Sequence, residues 1–221
     1  MNRNAESPQI QLPSFDLQGR CAVVTGASAG IGQAIAEAFA KAGASLALVS
    51  RDPGRLAKIA ERAEANGSYT TLHKADVRYT DQITHLANEV LEMHEQVNIL
   101  VNSAGAPISR LAVDVQEEEW DRVIDTGLKG VFFCCTAFGK AMIEQGNGKI
   151  INLSSTYAES VRPTQSVYSI AKGGLSMLTR ALALEWAQYG VLVNALAPTL
   201  TDTPTRHHIV ANEASRKRVE A

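Results

Sequence analysis

Thr25-Gly26-Ala27-Ser28-Ala29-Gly30-Ile31-Gly32 is the stretch whose reading decides the fold. It follows an apolar run, Cys21 to Thr25, and from Gly30 the chain passes straight into an alanine-rich segment of helical period. A strand that turns through glycines into a helix makes a phosphate cradle. The glycines let the backbone bend tightly and approach an anion closely, while the helix start offers unpaired N–H groups at its positive dipole end. Gly26, Ser28, Ala29, Gly30, Ile31 and Gly32 are therefore the expected phosphate contacts. Taken alone, such a turn is equally a glycine-rich bend that holds nothing, so its surroundings decide.

Outward from it, short apolar runs at Ser45 to Ser50, Thr70 to Ala75, Ile99 to Asn102, Ile150 to Ser154 and Leu192 to Leu196 alternate with longer stretches of helical period. Their apolarity is continuous rather than alternating, as in strands covered on both faces of a parallel sheet. Strand then helix, repeated, predicts an α/β fold, a Rossmann-type doubly wound parallel sheet of strand order 3-2-1-4-5-6. The best helix spans Val167 to Gln188, with a buried stripe expected at Val167, Ile170, Ala171, Gly174, Leu175, Leu178 and Leu182. Residues 1–18, polar with Pro8 and Pro13, read as a flexible N-terminal arm; residues 19–204 read as the dinucleotide-binding catalytic domain.

Composition narrows the partners. The 221 residues are 45% hydrophobic and 20% charged, an ordinary balance for one globular domain, and 21 Lys plus Arg against 23 Asp plus Glu give a formal net charge of -2. With no global field to draw in a polyanion, nucleic acid is not an expected partner. No apolar stretch approaches the roughly 20 residues of a membrane span, and the opening residues lack a secretory apolar core, so no membrane association and a cytoplasmic address are expected. Cys21, Cys134 and Cys135 are too few and too poorly spaced for a disulfide framework or a zinc site, and read as buried thiols; no metal is expected.

The chemistry-bearing residues fall at the carboxyl ends of the runs, the edge where open α/β sheets bind ligands. Ser50 and Arg51 follow the second run, where enzymes that hold both ribose hydroxyls place an acid. An uncharged Ser50 beside Arg51 suits a 2'-phosphate instead, which favours NADP(H) over NAD(H). Read alone, Arg51 is also a solvated cation turned toward Asp52. Asp76 follows the third run and Asn102-Ser103-Ala104-Gly105 the fourth. In isolation Asp76 is equally a cap for a helix near Thr80, and Asn102 a residue that satisfies backbone groups between strands.

Tyr168-Ser169-Ile170-Ala171-Lys172 is the most telling motif, with Ser155 thirteen residues before Tyr168. An i, i+4 pair shares a helix face, so the Lys172 ammonium is expected beside the Tyr168 phenol. A cation there favours phenolate over the usual value of about 10, which makes Tyr168 a general acid or base, while Ser155 polarises and positions a substrate oxygen.

In this order the motifs resemble the short-chain dehydrogenase/reductase family: TGxxxGIG, the NxAG-like turn, Ser155, YxxxK, and a proline-bearing turn at Pro198, together covering about Gln18 to Thr203. The resemblance implies an NAD(P)(H)-dependent oxidoreductase that interconverts an alcohol and a ketone or aldehyde of sugar or polyol, 3-oxoacyl or small-carbonyl type. Ser155, Tyr168 and Lys172 would be catalytic, with Tyr168 and Lys172 also at the cofactor. It further implies that Asp76 and Val77 meet adenine, that Asn102, Ala104 and Gly105 flank its ribose, and that Pro198, Thr201 and Thr203 lie by the nicotinamide carboxamide. Substrate specificity would reside in Thr156 to Gln165, where Tyr157, Glu159 and Arg162 stand.

Three departures accompany the resemblance. Gly127 stands where relatives carry an asparagine that bends its helix and holds a relay water to the lysine; Ser103 replaces a second asparagine and Thr199 a glycine, both milder changes. Finally, no counterpart of the relatives' seventh strand follows Thr203, so residues 205–221 read as an incomplete C-terminal lid or helix segment. A homo-oligomer is expected, a tetramer in full-length relatives, with assembly impaired by the missing strand. The alternative expectation is a nucleotide-binding protein with weak or no turnover, because of Gly127 and the short tail.

Overall fold

Every apolar run becomes a strand in the computed structural model, which describes residues 15–203. In chain order these are β1 (Cys21–Thr25), β2 (Ser45–Ser50), β3 (Thr70–Lys74), β4 (Ile99–Asn102), β5 (Gly148–Leu153) and β6 (Val191–Leu196). All pairings are parallel and the order is β3-β2-β1-β4-β5-β6, as expected. The helices between them are α1 (Gly30–Lys41), α2 (Ala57–Glu64), α3 (Thr80–His94), α4 (Glu117–Ile124), α5 (Gly130–Glu144) and α6 (Ser166–Trp186).

Strand periodicity sorts the core into two layers, because successive side chains leave a sheet on opposite faces. Ala22, Val24, Leu46, Leu48, Ile99 and Val101 face α1 and α2. Val23, Ala47, Val49, Leu100 and Ile150 face α3, α5 and α6, whose Phe138, Met142, Leu175 and Trp186 fill that layer. Parallel strands with helices on both sides bring the carboxyl ends of all six strands to one edge.

Differences from the sequence expectation are local. The α6 stripe consists of Val167, Ala171, Leu175, Leu182 and Trp186 together with Ser169, Lys172 and Thr179, while Ile170 is 50% exposed. A helix stripe that carries a lysine and a threonine is invisible to a hydrophobic count. Leu17, assigned to the arm, is docked: its N–H donates to the Ala42 carbonyl at 2.7 Å and its side chain packs on the α1 layer. The rest of the arm before residue 15 and the segment 205–221 lie outside the described residues.

Candidate active site

The glycine turn is built as a cradle. Gly26 and Gly30 adopt left-handed φ of 66° and 59°, which side-chain-bearing residues rarely occupy. A Cβ on Gly26 would lie 2.8 Å from the Ala104 backbone, and one on Gly32 would lie 2.4 Å from the Gly26 carbonyl. The α1 N-cap, Ala29, makes no side-chain cap hydrogen bond, so the opening N–H groups of α1 face the edge without a side-chain acceptor. Thr203 lies beside this turn, its Cγ2 3.3 Å from where a Gly30 Cβ would stand. Ser28 and Ile31 are half-buried and Ala29 is exposed around it. Backbone donors, a bare helix start and glycines that admit close approach match what a dinucleotide pyrophosphate needs.

Thr25 ties this cradle to the turn after β4, and composition gave no sign of it. Its buried hydroxyl donates to the Val101 carbonyl at 3.4 Å and accepts from the N–H groups of Ser103 and Ala104 at 3.2 and 3.3 Å. Gly105 beyond them is exposed. Asn102 behaves differently from expectation. Its side chain points into the domain, where its amide donates to Asn152 Oδ1 at 2.9 Å and to Cys135 Sγ at 3.3 Å, and Asn152 in turn donates to Thr179 at 3.0 Å. It bridges strand to helix through side chains rather than capping backbone groups, and at 2% exposure that amide cannot flank a ribose.

At the ends of β2 and β3 the charges are arranged by register. Ser50 pairs with Lys74, so Arg51 and Asp76 project from neighbouring positions. The Ser50 hydroxyl accepts from the Asp52 N–H at 3.2 Å. Asp52 accepts from the Gly54 N–H at 3.1 Å and meets Arg55 at 3.5 Å, so it does not hold Arg51, which is exposed and unpaired among the described residues. Asp76 does not cap α3, whose N-cap is Tyr79. It receives Arg78 bidentately, Nε at 3.0 Å to both oxygens and Nη2 at 2.6 Å to Oδ2. Val77 is buried, and its carbonyl lies 2.3 Å from where a Gly130 Cβ would stand, so α5 abuts this turn only because residue 130 lacks a side chain.

Ser155, Tyr168 and Lys172 converge beyond the end of β5. Ser155 is buried, and its hydroxyl accepts from the Tyr157 N–H at 3.2 Å to open a short turn, Thr156–Ala158, that packs on α6. Tyr168 is half-buried, its ring edge-on to that of Tyr157 with centroids 6.1 Å apart. The Lys172 amine lies over the Tyr168 ring, 5.7 Å from its centroid, rather than against the phenol oxygen, and donates to the Leu153 carbonyl. Burial lowers its pKa from 10.5 to about 8, since a low-dielectric surrounding penalises the ammonium. Pro198 is held against this group by its carbonyl, which accepts from the Thr156 N–H at 3.3 Å, while the Thr201 hydroxyl is turned to the Thr199 carbonyl.

Gly127 is buried at the centre of a π-helical turn, Asp125–Lys129, that joins α4 to α5. The helix therefore bends without an asparagine. A Cβ there would meet only Ala171 Cβ, at 3.7 Å, one residue before Lys172.

Two further residues escaped the sequence reading. Arg78 was legible in principle, since an Asp-x-Arg turn puts the two side chains together. Thr164 was not: it occupies a left-handed φ of 71° two residues after Arg162, whose carbonyl accepts from the Gln165 N–H at 3.2 Å, and it clasps the loop after β4 through Ser109 Oγ at 2.9 Å and the Arg110 N–H at 2.9 Å.

Comparison with known proteins agrees with this geometry. The family model described as short chain dehydrogenase matches residues 20–214. A galactitol 2-dehydrogenase of Rhizobium johnstonii is 38% identical over 212 residues, 93% of this chain and 79% of that protein. An NAD-dependent glycerol dehydrogenase of Listeria innocua is 35% identical, across 84% of this chain and 72% of that protein. The crystal structure of a gluconate 5-dehydrogenase from Burkholderia cenocepacia, in complex with NADP and tartrate, superposes with a TM-score of 0.86 at 33% identity, covering 91% of this chain and 79% of that one.

Proposed function

This chain belongs to the short-chain dehydrogenase family and is an oxidoreductase that interconverts an alcohol and a carbonyl compound with a nicotinamide cofactor; from that premise we propose that Ser155, Tyr168 and Lys172 carry the reaction. The observation that carries this reading is the buried Lys172 amine beneath the Tyr168 ring at 5.7 Å, a cation placed where it favours phenolate. Because Ser155 Oγ already accepts from a backbone N–H, its own proton is left to donate to the substrate oxygen. Tyr168 gives its phenolic proton to that oxygen in reduction and takes it back in oxidation. The bound nicotinamide supplies or accepts the hydride. The Gly26 to Gly32 turn holds the pyrophosphate, Asp76 and Val77 border the adenine, Ala104 and Gly105 border its ribose through backbone, and Pro198, Thr201 and Thr203 lie toward the carboxamide. Tyr168→Phe should lower kcat by about 10³-fold or more, since general acid–base catalysis contributes that order, with NADPH affinity unchanged in a fluorescence titration. Activity within tenfold of the parent would remove Tyr168 from the role.

For the cofactor, NADP(H) is the proposed preference. Unpaired Arg51 beside uncharged Ser50 supports it, as does the bound NADP in the gluconate 5-dehydrogenase, although the glycerol dehydrogenase is named for NAD. Arg51→Asp should invert the ratio of kcat/KM for NADPH over NADH, because a carboxylate repels the 2'-phosphate and accepts from ribose hydroxyls; an unchanged ratio would refute the preference.

The substrate is proposed to be a polyol or sugar-derived acid, on the named activities of these relatives. Galactitol, glycerol and gluconate assayed against an acetoacetyl thioester test it, and turnover of the thioester alone would overturn it. A homo-oligomer is proposed as well, through the outer face of α5 and α6, where Phe132, Phe133, Ile170, Met177 and Leu184 are exposed. Free buried thiols support a cytoplasmic setting, and no helix among the described residues is long and apolar enough to cross a membrane.

A further inference from the structure

At the ends of β2 and β3, two guanidinium groups and one carboxylate share a small area. Arg51 is the cation assigned to a 2'-phosphate. Asp76 projects from the neighbouring strand, close enough that the Arg51 charge acts on its carboxyl. An ionised Asp76 left to itself would do two things to that site: offer Arg51 a competing anion, and repel a phosphate dianion. Neither happens, because Arg78 occupies both Asp76 oxygens. Its Nε lies 3.0 Å from each and its Nη2 2.6 Å from Oδ2, while its backbone N–H donates to Oδ1 at 3.1 Å. The pair is held in place from both sides: the Arg78 guanidinium lies over the Tyr79 ring at 5.4 Å, and the Asp76 N–H donates to Gln82 at 2.8 Å. Partial burial pushes the Asp76 carboxyl up, but the Arg78 hydrogen bonds and charge, with the Arg51 charge behind them, outweigh it and hold the group below the usual carboxylate range. Asp76 therefore stays ionised and stays chelated. The pair is neutral as a unit, and Arg51 remains without an ion-pair partner among the described residues.

We propose that Arg78 is a specificity-determining residue for nucleotides that carry a 2'-phosphate: by chelating Asp76 it withdraws the carboxylate that would otherwise compete for Arg51 and repel the phosphate. Arg78 acts through Asp76 and need not touch the nucleotide. The inference rests on the NADP(H) preference proposed above and deepens it.

The test is a set of fluorescence titrations of the full chain with NADPH and with NADH. Arg78→Met should weaken NADPH by about tenfold, the effect of one unscreened like charge at this range, and leave NADH within about twofold. Adding Asp76→Asn to that variant removes the exposed charge and should return NADPH affinity to within about threefold of the parent. Should Arg78→Met fail to fold, Arg78→Lys serves in its place: it keeps the charge without the bidentate geometry and should lose an intermediate amount, again for NADPH only. Equal losses for both nucleotides would make Arg78 a general support of the adenine site and overturn the proposal, as would failure of the double variant to recover. If Arg51→Asp inverts the cofactor ratio while Arg78→Met leaves it untouched, the proposal for Arg78 falls and the NADP(H) preference stands. If Arg51→Asp changes nothing, the preference itself falls and takes this inference with it.

Discussion

Burial brings the Lys172 amine to about 8 because the folded site solvates an ammonium poorly, and this has a consequence for stability. Unfolded, the same amine titrates near 10.5. Between the two values the unfolded chain binds the proton and the folded one does not, so this residue's contribution to stability rises with pH across that window. The integrated gain is about 3 kcal/mol. Denaturant titrations of the parent and Lys172→Met, compared at successive pH values from 7.5 to 10.5 (chosen to bracket the window in), should diverge in the parent's favour by that order. A flat difference would mean that the amine stays hydrated. The YxxxK spacing sufficed to pair Tyr168 with Lys172, since i and i+4 share a helix face. It did not reveal that the amine sits over the ring and donates to Leu153 on β5, because that carbonyl belongs to another strand. Asn102 shows the same limit: its amide partners, Asn152 and Cys135, lie 50 and 33 residues away.

Within single elements, the turn Arg162–Gln165 is where local rules and tertiary contacts disagree. Pro163 followed by a residue of positive φ, closed by the Gln165 N–H on the Arg162 carbonyl, has the form of a type II turn, in which glycine is the preferred third residue. Thr164 stands there instead, and a β-branched residue in the left-handed region costs about 1 to 2 kcal/mol. Its contacts to Ser109 and Arg110 offset part of that strain and pin the segment before Tyr168 to the loop after β4. Thr164→Gly should therefore raise stability by about 1 kcal/mol, as relief of a positive-φ position does. Thr164→Val, which keeps the strain and loses the hydroxyl, should lower it by about 1 kcal/mol. Thermal or urea midpoints of the two variants decide this, and equal shifts would show that the turn is not strained. No sequence rule placed strain here, because the clasp joins loops 55 residues apart. The π-helical turn at Gly127 was hidden for a related reason: glycine alone says only that a side chain is absent.

Across the whole molecule, the outer face of α6 exposes Ile170, Met177 and Leu184 at seven-residue steps, beside Phe132 and Phe133 of α5. Seven residues make two helical turns, so the three form one apolar seam rather than scattered surface positions. Met177→Glu with Leu184→Glu should dissociate the proposed homo-oligomer, seen as a drop in sedimentation mass without a change in far-UV circular dichroism; an unchanged mass would place the interface elsewhere. That seam was misread from the sequence, where Ile170 counted toward the buried stripe, because both faces of α6 carry apolar residues. Strand existence, parallel order, the glycine cradle and the Ser155, Tyr168, Lys172 set were all legible in the sequence alone. Each rests on short-range physics: apolar runs bounded by turns, glycines where backbone must pass closely, and helix periodicity. The partners of Asp76, Asn102, Lys172 and Thr164, and which apolar face of α6 turns inward, were decided only by the tertiary structure. Those depend on where the second residue of a pair arrives in space, and on how much water the fold removes from between them.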